Sequence, residues 1–250
     1  MVRKLAPKTL QERETQILDL AHELLLRDGP GGVTMERIAE QVPFSKGTLY
    51  NHFKSREDVL MALFCRIQSG VYDTFSRGAA YSGKPRDRYT AIIAASEVRN
   101  WSEDDCCPQI IAPEVLEKAS PEYHELLTGL HHRILKLLND IALEAIQAGD
   151  LPRQTPLDEL NYSSWALAVG ADELFNQKMI YPEHTEHDFA VIRRRMLHRL
   201  LDGYQWKPLS NERDYEAVHQ NVLSTIFAEE WAEYKTQEKQ SGKNGRPTRT

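Results

Sequence analysis

The run Ser45-Lys46-Gly47-Thr48-Leu49-Tyr50-Asn51-His52-Phe53 concentrates hydrogen-bonding chemistry in a short space. Read as a helix, it places Leu49 and Phe53 one turn apart, facing inward. Lys46, Thr48, Tyr50 and Asn51 then point elsewhere. A cation, two hydroxyls and an amide on one exposed face make a recognition surface for phosphate oxygens and base edges. Gly47 leaves room for the backbone itself to come close to such a partner. Two bland readings compete: Tyr50 as packing, and His52 as a capping or packing group.

Short helices on either side of a break must position these groups. Thr34 is a good N-cap for a helix over Met35–Gln41, and Val42-Pro43-Phe44 interrupts it. Ser45 caps the next helix, to about Phe53. A preceding helix runs from about Gln11 to Arg27, with Ile17, Leu20, Ala21, Leu24 and Leu25 on one stripe, and Gly29-Pro30-Gly31-Gly32 ends it. Ser55 starts a long helix, with Asp58 placed to complete a capping box. Short helix, tight break, short helix is the plan of a helix-turn-helix, whose second helix enters a major groove.

The run from Thr34 to Leu60, including Ile38, Ala39, Ser45, Lys46, Gly47, Thr48, Leu49, Tyr50, His52, Phe53 and Glu57, resembles the DNA-binding head of the TetR family of transcriptional regulators. The resemblance covers about residues 11–65, roughly a quarter of the chain. It departs at Pro43, where the family usually has glycine. Proline cannot take positive φ, so a differently built turn or an earlier helix end is expected there. The resemblance implies that Thr34, Ser45, Tyr50, His52 and Lys54 hold phosphates, with Lys46, Gly47 and Thr48 nearest the base edges and Asn51 on the same face. It further implies an all-α fold, with a three-helix head followed by a larger helical ligand-binding and dimerisation domain.

The remainder reads as helices at about 85–101, 121–148, 156–180, 188–204 and 211–233, with a polar, broken segment around Asp104–Pro113. No strand signal stands out. The expected divisions are a basic arm at 1–10, the head at 11–56, a connecting helix and seam at 57–84, a helical ligand and dimer domain at 85–234, and a basic disordered tail at 235–250. Arg3, Lys4 and Lys8 of the arm are expected to add phosphate or minor-groove contact. Leu160, Ser164, Leu167, Ala168, Ala171 and Phe175 line one candidate dimer helix and Val218, Val222 and Ile226 line another, with filling of the protomer's own core as the competing reading. Trp101, Tyr123, His131, Trp165 and Phe175 are ligand-pocket candidates by type and place, with core packing as the competing reading.

Net charge is −6, which by itself argues against a nucleic-acid partner. Residues 1–60 hold nine basic and nine acidic side chains, residues 61–234 hold 17 and 27, and residues 235–250 hold five and one, so 0 − 10 + 4 = −6. The acidity therefore lies in the middle, and a local basic face on the head is allowed. Three cysteines make no disulfide framework, so a cytoplasmic protein is expected. Adjacent Cys106 and Cys107, as well as His124, His131, His132, His184 and His187, lack a metal-site framework, and no cofactor, metal or membrane partner is expected. No motif commits the chain to catalysis, and no catalytic residue is assigned.

The expected function is a homodimeric repressor on a palindromic operator, released when a small-molecule ligand tilts the helix that starts at Ser55. The same residues leave open a DNA-binding protein regulated by a protein partner, or one acting structurally on the chromosome. An enzyme is the competing class.

Overall fold

Thr9 opens the first helix, α1 (Leu10–Asp28), through a reciprocal capping box: its hydroxyl accepts the Glu12 N–H at 3.1 Å, and the Glu12 carboxylate accepts the Thr9 N–H at 2.9 Å. Gly29, at φ 69°, ends it in a conformation that L side chains rarely adopt. A 3-10 turn at Pro30–Gly32 leads to α2 (Met35–Gln41), capped by Thr34. Val42 is extended, as a residue before proline prefers, so α2 stops where Pro43 requires. Ser45 caps α3 (Lys46–His52), and α4 spans Arg56–Ala79. The computed structural model describes residues 9–101, 112–176 and 186–244; the side chains of residues 100, 101, 176, 186–188 and 238–244 fall outside that description.

Helices α5 (Pro85–Trp101), α6 (Pro113–Lys118), α7 (Pro121–Ala148), α8 (Leu157–Asn176), α9 (Glu186–Gly203), α10 (Tyr215–Thr225) and α11 (Ala228–Asn244) follow. The fold is all-α, with no strand among the described residues. Two compact units divide it. The first joins the residues up to Tyr72 with 112–132; the second joins 73–101 with the described residues from Arg133 onward. These units cut across the divisions expected from the sequence. The start of α7 packs in the unit that contains the head, not with 85–234, because Asp58 of α4 binds Ser120 directly ahead of α7.

The core of the first unit gathers Ile17, Leu24 and Leu25 of α1, Ile38 of α2, Leu49 of α3, and Leu60, Leu63 and Phe64 of α4. Ser55 accepts the Asp58 N–H at 3.1 Å, which is half of the expected capping box. The Asp58 carboxylate goes elsewhere: it accepts the Ser120 N–H at 2.7 Å and the Ser120 hydroxyl at 3.0 Å.

In the second unit α8 packs against α9, and α10 against α5. One apolar cluster holds Tyr89, Ile141, Leu160, Leu201 and Trp206; another holds Ala91, Ala95, Val218, Val222 and Phe227. Arg86 is wholly buried and binds the carbonyls of Trp206, Pro208 and His198 and the Asp202 carboxylate. Glu97 sits between Arg193, Arg194 and His219, all buried. Burial works to raise the Glu97 carboxyl, but His219, Arg194 and Arg193 outweigh it and hold it below the usual range.

Two further expectations are corrected. The helix expected over 211–233 is two, α10 and α11, separated where the Ile226 and Phe227 N–H groups both turn back to the Val222 carbonyl. The segment 235–250, expected to be disordered, is helical to Asn244. Its Lys, Gln and Glu are strong helix formers, and Lys235 sits over the Trp231 ring, itself stacked on Tyr234.

Candidate nucleic-acid interface

The head builds one surface from two short capped helices. Thr34 accepts the Arg37 N–H at 3.2 Å, and Ser45 accepts the Thr48 N–H at the same distance. The Ser45 and Thr48 hydroxyls lie 3.0 Å apart. Each cap satisfies a backbone donor that a short helix leaves bare, and this fixes where the first turn begins. Leu49 and Phe53 are buried, so α3 is seated by its apolar edge. Ser45, Lys46, Gly47, Tyr50 and Asn51 are exposed, and Thr48 is partly so. A methyl group added at Gly47 would meet only the Ser45 hydroxyl, at 3.8 Å. The protein itself therefore gives no steric reason for glycine there.

The expected phosphate-holding residues surround this face. Tyr50 is 40% exposed, which opposes its reading as core packing. The Lys46 ammonium lies 5.8 Å from the centre of the Tyr50 ring and 3.8 Å from the Glu36 carboxylate. His52 is half-buried beside Phe53, and Lys54 is exposed, 3.3 Å from Glu122. Both lysine pairs are solvent-exposed, so they hold their cations weakly and yield readily to a phosphate. Two arginines brace the head from below. Arg37 donates to the Gly32 carbonyl at 2.8 Å, and Arg56 to the carbonyls of Val33 and Pro30 at 2.7 and 2.6 Å. Sequence reasoning missed both, because local spacing does not mark a side chain that caps carbonyls up to 26 residues away.

The expected ligand residues are divided between the two units. Tyr123 and His131 belong to the first unit, Trp165 and Phe175 to the second. Tyr123 stacks on Phe53 at 6.3 Å, and its phenol is pushed well above the ordinary range by burial and by Asp58 nearby. Burial and the adjacent His132 lower the pKa of half-buried His131. Trp165 is 63% exposed, and Phe175 stacks on Phe189 at 4.5 Å. The Trp101 side chain lies outside the described residues, as do Arg3, Lys4, Lys8, Cys106, Cys107, His184 and His187.

The expected dimer stripes are also corrected. Leu160, Ser164 and Ala171 are buried inside the protomer, Leu167 and Ala168 pack partly against the same core, and Phe175 is occupied by Phe189. Val218 and Val222 are buried, and Ile226 is packed against their cluster. Besides Leu174, α8 leaves Tyr162, Trp165 and Val169 bare, and α9 leaves Ile192 and Met196 bare. Their spacings of three, four and four residues are helical, so each set forms one outward stripe. Helix α8 is apolar on two sides, and periodicity alone does not say which side the protomer covers.

No helix among the described residues is long and apolar enough to cross a membrane. The description "Bacterial regulatory proteins, tetR family" matches residues 17–63, the segment that builds the head. The chain is 23% identical over 144 residues to the "Fatty acid metabolism regulator protein" of Bacillus subtilis (strain 168), covering 58% of this chain and 73% of that one. Its fold is similar to that of a tetR-family regulatory protein from Rhodococcus RHA1, with TM-score 0.56, 21% identity, and coverage of 77% of this chain and 97% of that one. It is also similar to the transcriptional regulator FadR from Bacillus subtilis in complex with stearoyl-CoA, with TM-score 0.55, 20% identity, and coverage of 76% and 98%. The segment in which α2 and α3 present their polar face is thus similar to the tetR family of bacterial regulatory proteins, and the fold of the chain is similar to that of such regulators.

Proposed function

We propose that this protein is a homodimeric repressor of the cytoplasm that reads a palindromic operator and leaves it when a small-molecule effector binds. One observation carries the DNA reading: α3 is seated by Leu49 and Phe53 while Ser45, Lys46, Gly47, Tyr50 and Asn51 stay exposed. Lys46, Gly47 and Thr48 face base edges. Thr34, Ser45, Tyr50, His52 and Lys54 hold the flanking backbone, with Asn51 on the same face. Phosphate contacts set register, and base-edge contacts carry the sequence information.

One head reads few base pairs, and a two-fold dimer reads two half-sites about 34–36 Å apart, or a multiple of that spacing. The bare stripes Tyr162, Trp165, Val169 and Ile192, Met196 supply an apolar face on adjacent packed helices for that contact. Support for an effector comes from the structurally similar regulator that holds stearoyl-CoA. The effector's influence reaches the head along α4, which starts three residues beyond Phe53 and contributes to both units. Selection of bound sequences from random duplex DNA with the purified protein tests the reading. A palindrome is expected. Recovery of an unsymmetrical site, or of no preferred sequence, would overturn it.

A further inference from the structure

A cleft of about 750 Å³, open to solvent, lies in the second unit along α9, the 210–214 segment and the start of α10. That volume is in the range of small-molecule sites. Its lining contains none of the five aromatic and histidine residues expected to hold a ligand. Arg194, Arg195, Arg199 and Arg213 contribute guanidinium groups to it. Two of them are committed: Arg194 to Glu97 and Glu216, and Arg213 to Asp87. Arg195 and Arg199 are exposed and have neither an ion pair nor a hydrogen-bond partner among the described residues. They stand one helical turn apart, a like-charged pair whose repulsion an anion would relieve.

The acids of the lining are engaged elsewhere. Glu212 accepts the Leu209 N–H, Asp214 caps Ala217, and Glu216 holds Arg194. Two stacked rings also line the cleft: His198 lies on Tyr215 with centroids 4.7 Å apart and planes 16° from parallel. The Arg86 guanidinium lies 4.6 Å from the Tyr215 ring centre, which adds positive field beneath. His198 is 8% exposed, and its Nδ1 has no partner within the protein. Unengaged guanidiniums beside flat rings together describe a receptor for a planar organic anion.

We infer that this cleft binds a small molecule carrying a carboxylate or phosphate on a flat apolar body, with the anion on Arg195 and Arg199 and the body against His198 and Tyr215. That this molecule is the effector rests on the repressor reading; that the cleft takes an anion does not.

The test uses the full-length protein without DNA, titrated calorimetrically at low ionic strength with benzoate in one arm and phenyl phosphate in the other. Saturable binding of at least one probe is expected, and the tighter arm names the anion class. In the double variant Arg195→Ala with Arg199→Ala, affinity should fall at least about tenfold. Both side chains are exposed and brace nothing in the fold, so the melting temperature should not move. Absence of binding in both arms at millimolar concentrations, or undiminished binding in the double variant, would overturn the inference. Either result would leave operator binding untouched, and loss of operator binding alone would leave the cleft standing.

Discussion

Replacing Gly47 by alanine separates what the protein needs from what its DNA partner needs. A Cβ at this position would meet only the Ser45 hydroxyl, at ordinary contact distance, and the backbone there is not left-handed. The folded chain therefore accepts alanine without strain. Glycine costs a helix about 0.5–1 kcal/mol relative to alanine, so G47A should be more stable by up to that amount. For a chain of this length each kcal/mol moves the melting temperature by about 2–4 °C, so a rise of roughly 1–4 °C is expected. Binding should move the other way. If the backbone at Gly47 touches the groove, the methyl group occupies space that belongs to a base edge. The loss is then about 1–3 kcal/mol, the scale of one good base contact. Calorimetric melting and fluorescence anisotropy on the selected duplex measure the two quantities on the same preparation. A more stable variant that binds operator as tightly as the parent would refute the placement of α3 in the groove.

Lys46→Ala and Thr48→Ala should relax base preference at their positions by about 1–3 kcal/mol each, whereas Tyr50→Phe should weaken all duplexes alike; competition binding with permuted sites distinguishes the patterns. Trp165→Glu places a charge in the bare stripe of α8 and should shift the protein from dimer to monomer in sedimentation equilibrium, with the melting temperature little changed because Trp165 is largely exposed. Asp58→Ala leaves the Ser120 N–H without its acceptor and should lower stability by about 1–3 kcal/mol in chemical denaturation. Burial, with Arg86 close by, depresses His198 to about 4 from the ordinary 6.5. Between those values the unfolded chain binds the proton and the folded one does not, so His198's contribution is present above about 6.5 and lost as pH falls toward 4. From pH 7.5 to 5 that loss is about 2 kcal/mol, and His198→Gln should flatten the stability profile by that amount over the same window.

The head was legible because its determinants are local. Thr34, Ser45 and Ser55 cap helices within three residues of themselves, and proline at 43 forces Val42 out of the helix. Leu49 and Phe53 are separated by one turn, so period alone assigns the buried edge of α3 and, by subtraction, the face left for DNA. Those interactions span a few residues, and a linear sequence states them directly.

The second unit obeys a different rule. Arg86 meets carbonyls and a carboxylate 112 to 122 residues away, and Glu97 meets Arg194 and His219 97 and 122 residues away. Helix α8 offers apolar residues on both sides, and only its packing against the rest of the protomer decides that Leu160, Ser164 and Ala171 go inside while Tyr162, Trp165 and Val169 stay out. The cleft of Arg195, Arg199 and His198 likewise exists because α9 and the start of α10 border one space. Caps and periodicity act along the chain; burial, pairing and concavity are set between distant segments, and only the folded arrangement settles them.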